Sequence, residues 1–263
     1  MIRLAIHGAA GRMGRRLVAL GSVDAELKIV AALENPQHPE LGKDAGLAAG
    51  VGELKVPFAG ALNVDADVVI DFSIPEACEH VASLCESRSI PLVVATTGLK
   101  DAQRERLLLA SQTIPIVWSP SMSLAVNLSM KLCAMAGTAL RDLASGVDVE
   151  IIERHHRYKE DAPSGTALKF GEIIAGVMGQ TNHQHGRKGM TGKRPHAEIG
   201  YHAVRTGDNP GEHTIIFGML GETIEITVKA SNRDCYAVGA LAAAKFAAKQ
   251  KPGLYSMYDV LGL

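Results

Sequence analysis

Ile2-Arg3-Leu4-Ala5-Ile6-His7-Gly8-Ala9-Ala10-Gly11-Arg12-Met13-Gly14 is the stretch that decides the fold of the first half of this chain. The residues before Gly8 predict a short strand, and those from Arg15 to Leu20 predict a helix. A strand, a glycine turn and a helix form the setting of a dinucleotide-binding loop. In such a loop Gly8 would make the tight turn, Gly11 would admit a pyrophosphate close to the backbone, and Gly14 would let the helix pack on the strand. An ordinary strand–turn–helix unit is the alternative.

A second strand is predicted from Leu27 to Leu33, and it is followed by Glu34. An acidic residue at the tip of the second strand, about 20 residues beyond the glycines, suits the hydroxyl pair of a ribose. An arginine after it would pair with a 2′-phosphate, but Asn35 stands there, and Arg12 could supply part of that role. We therefore expect NADH to be used at least as well as NADPH.

Strands and helices continue to alternate up to residue 120. The predicted strands are Asp67–Ser73, Pro91–Gly98 and Ile114–Pro120, and the predicted helices between them are Pro75–Ser87 and Asp101–Ser111. Such alternation predicts an α/β domain, a Rossmann-type doubly wound parallel sheet with helices on both faces. Right-handed crossovers then bring residues 8–14, 72–73, 96–97 and 119–122 to one edge, where the cofactor should lie. For Thr96 and Thr97, strand propensity followed by a turn explains the residues as well as contact with a ligand does.

After Ser123 the pattern changes to a long apolar helix, Leu124–Leu140, and then to strands of alternating polarity. These strands are Ala197–Arg205, His213–Gly218 and Glu222–Ala230, and their short connections predict a mixed or antiparallel open sheet in a smaller α+β domain. Polar residues 181–195 predict an exposed loop, and the helix Val238–Lys249 should pack back on the first domain. We expect domains at residues 1–123 with 234–263 and at 124–233, with hinges near Ser123 and residues 231–234 that close when both ligands are bound.

The segment Glu153–Leu168, ERHHRYKEDAPSGTAL, concentrates the candidate chemistry of the second domain. A strand is predicted before it, at residues 147–152, and a helix after it, capped by Ser164 or Thr166. Cationic side chains beside a helix N-terminus suit a carboxylate or phosphate ligand. A solvated basic loop that caps a helix is the alternative interpretation.

Charge and composition exclude several classes of function. The chain has 263 residues and a net charge of −1, which gives no basis for binding nucleic acid or a membrane surface. The sequence contains no run of about 18 apolar residues, so no membrane span is predicted. The four cysteines lack CxxC spacing and are expected to be reduced, as in a cytoplasmic protein. His183 and His185 have no third ligand nearby, so no metal is expected.

With both loops in view, the chain closely resembles the 4-hydroxy-tetrahydrodipicolinate reductase (dihydrodipicolinate reductase) family over essentially its whole length. The matching motifs are HHRYK at 155–159, DAPSGTA at 161–167, GAAGRMG at 8–14 and RTG…GEH at 205–213. Ser121 departs from the family, which commonly has Asn there.

The resemblance implies NAD(P)H-dependent reduction of a small dicarboxylate in lysine and diaminopimelate biosynthesis, by a homotetramer joined through its substrate-domain sheets. It implies that His155 is the acid/base residue and Lys159 the proton donor, and that His156, Gly165 and Thr166 hold the substrate. The implied cofactor contacts are Gly8, Ala9, Ala10, Gly11, Arg12, Met13, Glu34, Ala95, Thr96, Thr97, Ser119, Pro120, Ser121 and Met122.

Two other functions are compatible with a glycine loop. A two-domain semialdehyde dehydrogenase is one, although the HHRYK…DAPSGT segment disfavours it. A non-catalytic NAD(H)-sensing protein is the other, but it would not need paired histidines and a lysine beside a helix terminus.

Overall fold

The computed structural model describes every residue from Met1 to Leu263. It contains two compact units, which we call the first unit (residues 1–124 and 234–263) and the second unit (residues 125–233). The chain passes between the units at 124/125 and at 233/234. In chain order the elements are β1 (Ile2–His7), α1 (Arg12–Gly21), β2 (Leu27–Leu33), α2 (Ala45–Ala49), β3 (Phe58–Ala59), β4 (Val68–Asp71), α3 (Pro75–Ser87), β5 (Leu92–Val94), α4 (Asp101–Ala110), β6 (Pro115–Trp118), α5 (Leu124–Leu140), β7 (Asp148–His155), α6 (Gly165–Met178), β8 (Asn182–His185), β9 (Glu198–Arg205), β10 (Glu212–Met219), β11 (Glu222–Lys229), α7 (Asp234–Ala247), β12 (Gly253–Tyr255) and α8 (Met257–Leu261).

The first unit is built on a seven-stranded sheet in the order β12-β6-β5-β4-β1-β2-β3. Every strand pairing in it is parallel. The central strands β4 and β5 are fully buried, as expected for a sheet covered on both faces. One core cluster joins the sheet to α1 and α7, and another joins it to α3 and α4. The predicted doubly wound parallel sheet is confirmed. Helix α7 lies in the first unit and packs on this sheet.

The second unit contains a five-stranded mixed sheet in the order β11-β10-β7-β9-β8. Strand β7 pairs antiparallel with β10 and parallel with β9. Helix α6 packs on one face through four buried residues at helical spacing, Ala167, Phe170, Gly171 and Ile174. The opposite face carries exposed apolar side chains, among them Ile152 and Val204.

Some local predictions are corrected by the structure. Residues 181–195 are not loop throughout, because β8 forms an edge strand parallel to β9. Its residues, Asn182–His185, are all polar, so no apolar alternation announced it. Helix α1 begins at Arg12 rather than Arg15, with Gly11 as its N-cap. The short elements α2, β3, β12 and α8 were not predicted. None of the helices combines the length and the apolar character that a membrane-spanning helix requires.

Candidate active site

The glycine loop after β1 is held by contacts that exclude side chains. Gly8 has a φ of +75°, and a Cβ there would lie 2.5 Å from the carbonyl oxygen of Phe72. A Cβ on Gly14 would lie 2.2 Å from the carbonyl oxygen of Gly8. Gly11, by contrast, is exposed at the N-terminus of α1. The loop therefore wraps tightly around its own backbone and leaves open the helix terminus that an anion would approach.

Glu34, the acidic residue that follows β2, lies beside this loop. Its carboxylate accepts hydrogen bonds from the backbone N–H of Ala10 at 3.0 Å and of Asn35 at 3.0 Å. A cavity of about 710 Å³ opens here, and its wall includes Gly8, Gly11 and Glu34. Of the other predicted loop contacts, Ala9 is buried, Met13 is half-buried and Arg12 is exposed.

The remaining predicted cofactor residues of the first unit differ in how accessible they are. Ala95, Thr96, Ser119 and Met122 are buried, Ser121 is half-buried, and Thr97 and Pro120 are exposed. The Thr96 hydroxyl donates to Asp71 at 2.6 Å and accepts the Ser73 N–H at 3.0 Å, so this side chain ties the strand ends together. The Ser119 hydroxyl donates to the carbonyl of Ser121. Asp71, fully buried at the end of β4, is a residue that the sequence interpretation missed.

His155 is the last residue of β7 rather than part of a loop, and it is only 8% exposed. Its Nδ1 lies 2.6 Å from Oε2 of Glu153, two residues earlier on the same face of the strand. Glu153, 1% exposed, also accepts hydrogen bonds from both terminal nitrogens of Arg205, at 2.7 and 2.8 Å, and from the Ser164 N–H at 3.1 Å. This buried carboxylate fixes the orientation of the imidazole.

The electrostatics of the pair follow from this geometry. Burial alone would raise the pKa of the Glu153 carboxyl, but hydrogen bonds from Arg205 and His155 outweigh burial and hold that pKa below its ordinary value. Burial also lowers the pKa of His155, and the neighbouring carboxylate opposes this shift only in part. A Cβ on Gly211, whose φ is +146°, would lie 2.9 Å from Nε2 of His155. The absent side chain at Gly211 keeps this nitrogen uncovered.

Helix α6 begins beside this pair, and Ser164 is its N-cap, one of the two predicted caps. The Ser164 hydroxyl accepts the Ala167 N–H at 3.2 Å and lies 3.1 Å from Nε2 of the buried His213. Burial lowers the pKa of His213 to about 4, so this ring is neutral at pH 7. The backbone N–H groups of Gly165 and Thr166 form the open end of the helix, and beyond the chain neighbours and the helix's own backbone no atom lies within 4 Å of the place of a Gly165 Cβ. They are placed to receive an anion.

Lys159 and His156 complete the cluster. The ammonium of Lys159 lies 2.8 Å from Asp161, and this hydrogen bond is the main reason why the pKa of Asp161 is lowered. Asp161 is 61% exposed, so the pair is a weak surface salt bridge that a ligand carboxylate can replace. Nδ1 of His156 is buried without a hydrogen-bond partner.

His155, Lys159, Gly165 and Thr166, which the sequence singled out, lie in segments that two further residues connect by hydrogen bonds. These two residues, Glu153 and Arg205, were not predicted to act there. Arg205 also donates to the carbonyl of Asp161 at 2.7 Å, which ties the loop to the strand. A signal was present in the sequence, because Glu153 stands two residues before His155 and so shares its face of the strand.

Two family models match the chain, "Dihydrodipicolinate reductase, N-terminus" over residues 2–122 and "Dihydrodipicolinate reductase, C-terminus" over residues 125–261. A 4-hydroxy-tetrahydrodipicolinate reductase of Rhodopirellula baltica is 58% identical, covering 100% of this chain and 96% of that protein. One of Alkalilimnicola ehrlichii is 47% identical over 99% of each. The dipicolinate-bound dihydrodipicolinate reductase of Paenisporosarcina sp. TG-14 is 25% identical, with a TM-score of 0.80 over 98% of both chains. An amine dehydrogenase of Mycobacterium smegmatis, 11% identical with a TM-score of 0.66 over 97% of this chain and 95% of that one, shares the fold.

Proposed function

This chain belongs to the dihydrodipicolinate reductase family, and we propose that it reduces 4-hydroxy-tetrahydrodipicolinate to tetrahydrodipicolinate with a reduced nicotinamide dinucleotide and loss of water, in lysine and diaminopimelate biosynthesis. The observation that carries the proposal is the cluster in the second unit, where a carboxylate-held His155 and Lys159 lie in the segments that flank an open helix N-terminus. Neither an NAD(H) sensor nor a semialdehyde dehydrogenase explains this cluster together with the family match over both halves of the chain.

The first unit fits a dinucleotide, because the loop of Gly8 and Gly14 excludes side chains and leaves the N-terminus of α1 open. The residues that would hold it are the loop 8–13, Glu34 and the strand-end segments 95–97 and 119–122. When bound, the reduced nicotinamide supplies the hydride. Thr96 would support the cofactor site without donating to the cofactor, since its hydroxyl already donates a hydrogen bond to Asp71.

The substrate has two carboxylates, and the second unit offers matching donors. The Lys159 ammonium would exchange its exposed partner Asp161 for one carboxylate, while the N–H groups of Gly165 and Thr166 would bind the other at the positive end of α6. His156, with a buried nitrogen that lacks a partner, would add a further polar contact. Because this site is cationic, it favours a small diacid over a neutral substrate.

The net reaction consumes one proton and releases water, and the chain has two groups that can manage protons there. Lys159 is our proton donor to the ring carbon, and His155 is the acid/base residue. With Nδ1 held by Glu153, His155 exchanges protons through Nε2, which lies beside Gly211. A positioned general acid of this kind typically contributes about 10²–10⁴-fold in rate.

We propose that NADH serves at least as well as NADPH. Asn35 offers no cation for a 2′-phosphate, and the Glu34 carboxylate beside it would repel one. Arg12 is exposed and could offset part of this. Measured kcat/KM values for the two cofactors test the proposal, and a large preference for NADPH would contradict it.

The outward face of the second sheet is the proposed site of assembly into a homotetramer. It exposes Ile152 at 38% and Val204 at 42%, and burial of these side chains in an interface would remove apolar surface from water. Light scattering on the wild type and on Ile152→Glu tests this, since a monomeric wild type would contradict the assembly. The substrate role of the second unit, hinge motion at the two chain crossings and a cytoplasmic location stay predictions.

The activity is tested by following NADH absorbance with freshly made 4-hydroxy-tetrahydrodipicolinate. We expect Lys159→Ala to lower kcat at least a hundredfold, within the range of a lost general acid, with little change in the KM for NADH. His155→Ala should lower kcat at least about tenfold. His156→Ala should act mainly on the substrate KM. Near-wild-type turnover by Lys159→Ala would remove that residue from the mechanism.

A further inference from the structure

A buried carboxylate joins the ends of three strands in the first unit. Asp71 is fully buried at the end of β4 and accepts hydrogen bonds from Ser73 and Thr96, each at 2.6 Å. Its third partner is Nδ1 of His7, also at 2.6 Å, from the neighbouring end of β1. The Thr96 hydroxyl already accepts the Ser73 N–H, so its own proton must point to Asp71. Asp71 acts as the acceptor of both hydroxyls, and this network therefore orients His7 with Nδ1–H toward Asp71.

The second ring nitrogen of His7 has a different surrounding. The side chain is 16% exposed and forms part of the wall of the cavity of about 710 Å³ that also contains Glu34. Nε2 has no hydrogen-bond partner within the protein, while Nδ1 is held. A serine or asparagine would satisfy Asp71 equally well, but a histidine also presents a fixed second polar atom to the cavity. That arrangement is typical of a histidine that contacts a ligand and is oriented by a carboxylate behind it.

The chemistry of the cavity indicates which part of a cofactor reaches His7. Its polar wall is rich in acceptors, with the carboxylates of Glu34 and Glu76 and no lysine or arginine. Since Nδ1 of His7 donates to Asp71, Nε2 presents one more acceptor to the cavity. Such a wall suits the hydroxyls and the exocyclic amine of an adenosine rather than a phosphate group.

We propose that His7, oriented by Asp71, is a cofactor-binding residue whose Nε2 accepts a hydrogen bond from a hydroxyl or amine of the adenosine. The inference rests on the proposed binding of a nicotinamide dinucleotide by the first unit, and it names a contact that the glycine loop and Glu34 do not provide. Asp71 acts through His7 and is a positioning residue.

Two substitutions separate ligand contact from structural support. His7→Asn keeps an amide near the place of Nδ1, so the bond to Asp71 survives while Nε2 is removed. His7→Gln reaches the place of Nε2 but gives up the bond to Asp71. Loss of one ligand hydrogen bond should weaken binding about tenfold in His7→Asn, and His7→Gln should bind more tightly than His7→Asn. A purely structural histidine predicts the opposite order.

Calorimetry with ADP is the direct test, since ADP contains the adenosine and needs no turnover. We expect His7→Asn to weaken ADP and NADH by the same factor and to leave the affinity for reduced nicotinamide mononucleotide and for pyridine-2,6-dicarboxylate unchanged. Thermal unfolding of both variants verifies that the first unit is folded. ADP affinity within twofold of wild type in folded His7→Asn would overturn the assignment. Failure of the proposed reaction would instead show as absent turnover in the wild type with ADP binding intact.

Discussion

Glu153→Gln is the substitution that separates positioning of His155 from general stability. Each carboxylate oxygen of Glu153 accepts two hydrogen bonds, Oε1 from Ser164 and Arg205, and Oε2 from His155 and Arg205. A glutamine that turns its NH₂ toward Ser164 and Arg205 loses both bonds, and one that turns it toward His155 and Arg205 loses the Arg205 bond and makes Nδ1 of His155 the acceptor. Breaking a buried charged pair costs about 3–5 kcal/mol. We expect kcat to fall about tenfold as well, and no further than in His155→Ala, because His155 is no longer held with Nε2 free.

Glu150→Gln is a matched control on the same strand. Glu150 also accepts four hydrogen bonds, from Arg187, Arg194 and His202, but on the opposite face of the sheet. The Glu150→Gln variant should lose stability but keep kcat within about threefold of wild type, because Glu150 does not contact the candidate active site. Urea unfolding and steady-state kinetics at a temperature where both variants are folded give the two numbers. Equal loss of kcat in both variants would falsify the positioning role of Glu153.

Three further predictions follow from individual contacts. Gly211→Ala places a Cβ 2.9 Å from Nε2 of His155 and should lower kcat/KM at least tenfold without changing NADH affinity. Gly218→Ala, whose Cβ would have no neighbour nearer than 3.8 Å, is the control in steady-state kinetics. Equal values of kcat/KM for the two variants would contradict the steric explanation. The folded-state pKa of His213, about 4, lies below that of an unfolded histidine, so the unfolded chain takes up the proton first and stability is lost as pH falls from about 6.5 toward 4. Between pH 7.5 and pH 5 this loss of unfolding free energy amounts to about 2 kcal/mol. Urea unfolding at both pH values should give a loss that is smaller by that amount in His213→Gln than in the wild type. An equal loss in both proteins would contradict the assignment. Asn35→Arg should raise the ratio of kcat/KM for NADPH to that for NADH at least tenfold, and an unchanged ratio would mean that residue 35 does not face the 2′ position.

Features of the fold that depend on residues close together in the sequence were predictable from the sequence. The strand before Gly8, the second strand ending at Glu34 and the parallel first sheet follow from apolar runs, glycine spacing and alternation of strand with helix. The N-cap at Ser164 was one of two local possibilities, and the structure selects it. Strand β8 escaped prediction because it is a polar edge strand that owes its place to pairing with β9.

The candidate site was predictable only in part, because its supporting contacts span long stretches of chain. Glu153 and Arg205 are 52 residues apart, and His7 and Asp71 are 64 residues apart. No spacing rule joins such pairs before the sheet order is known, since each is created by neighbouring strands. The motif residues were therefore visible in the sequence. Of the carboxylates that orient them, Glu153 was signalled only by its spacing of two residues from His155, and Asp71 was not signalled.

The central claim is that a cationic site at the N-terminus of α6 binds a small diacid, and a crystal grown with pyridine-2,6-dicarboxylate tests it most directly. We predict that one carboxylate lies within hydrogen-bond distance of the Lys159 ammonium and the other at the N–H groups of Gly165 and Thr166. A well-ordered diacid bound elsewhere, with this helix end left to solvent, would contradict the account.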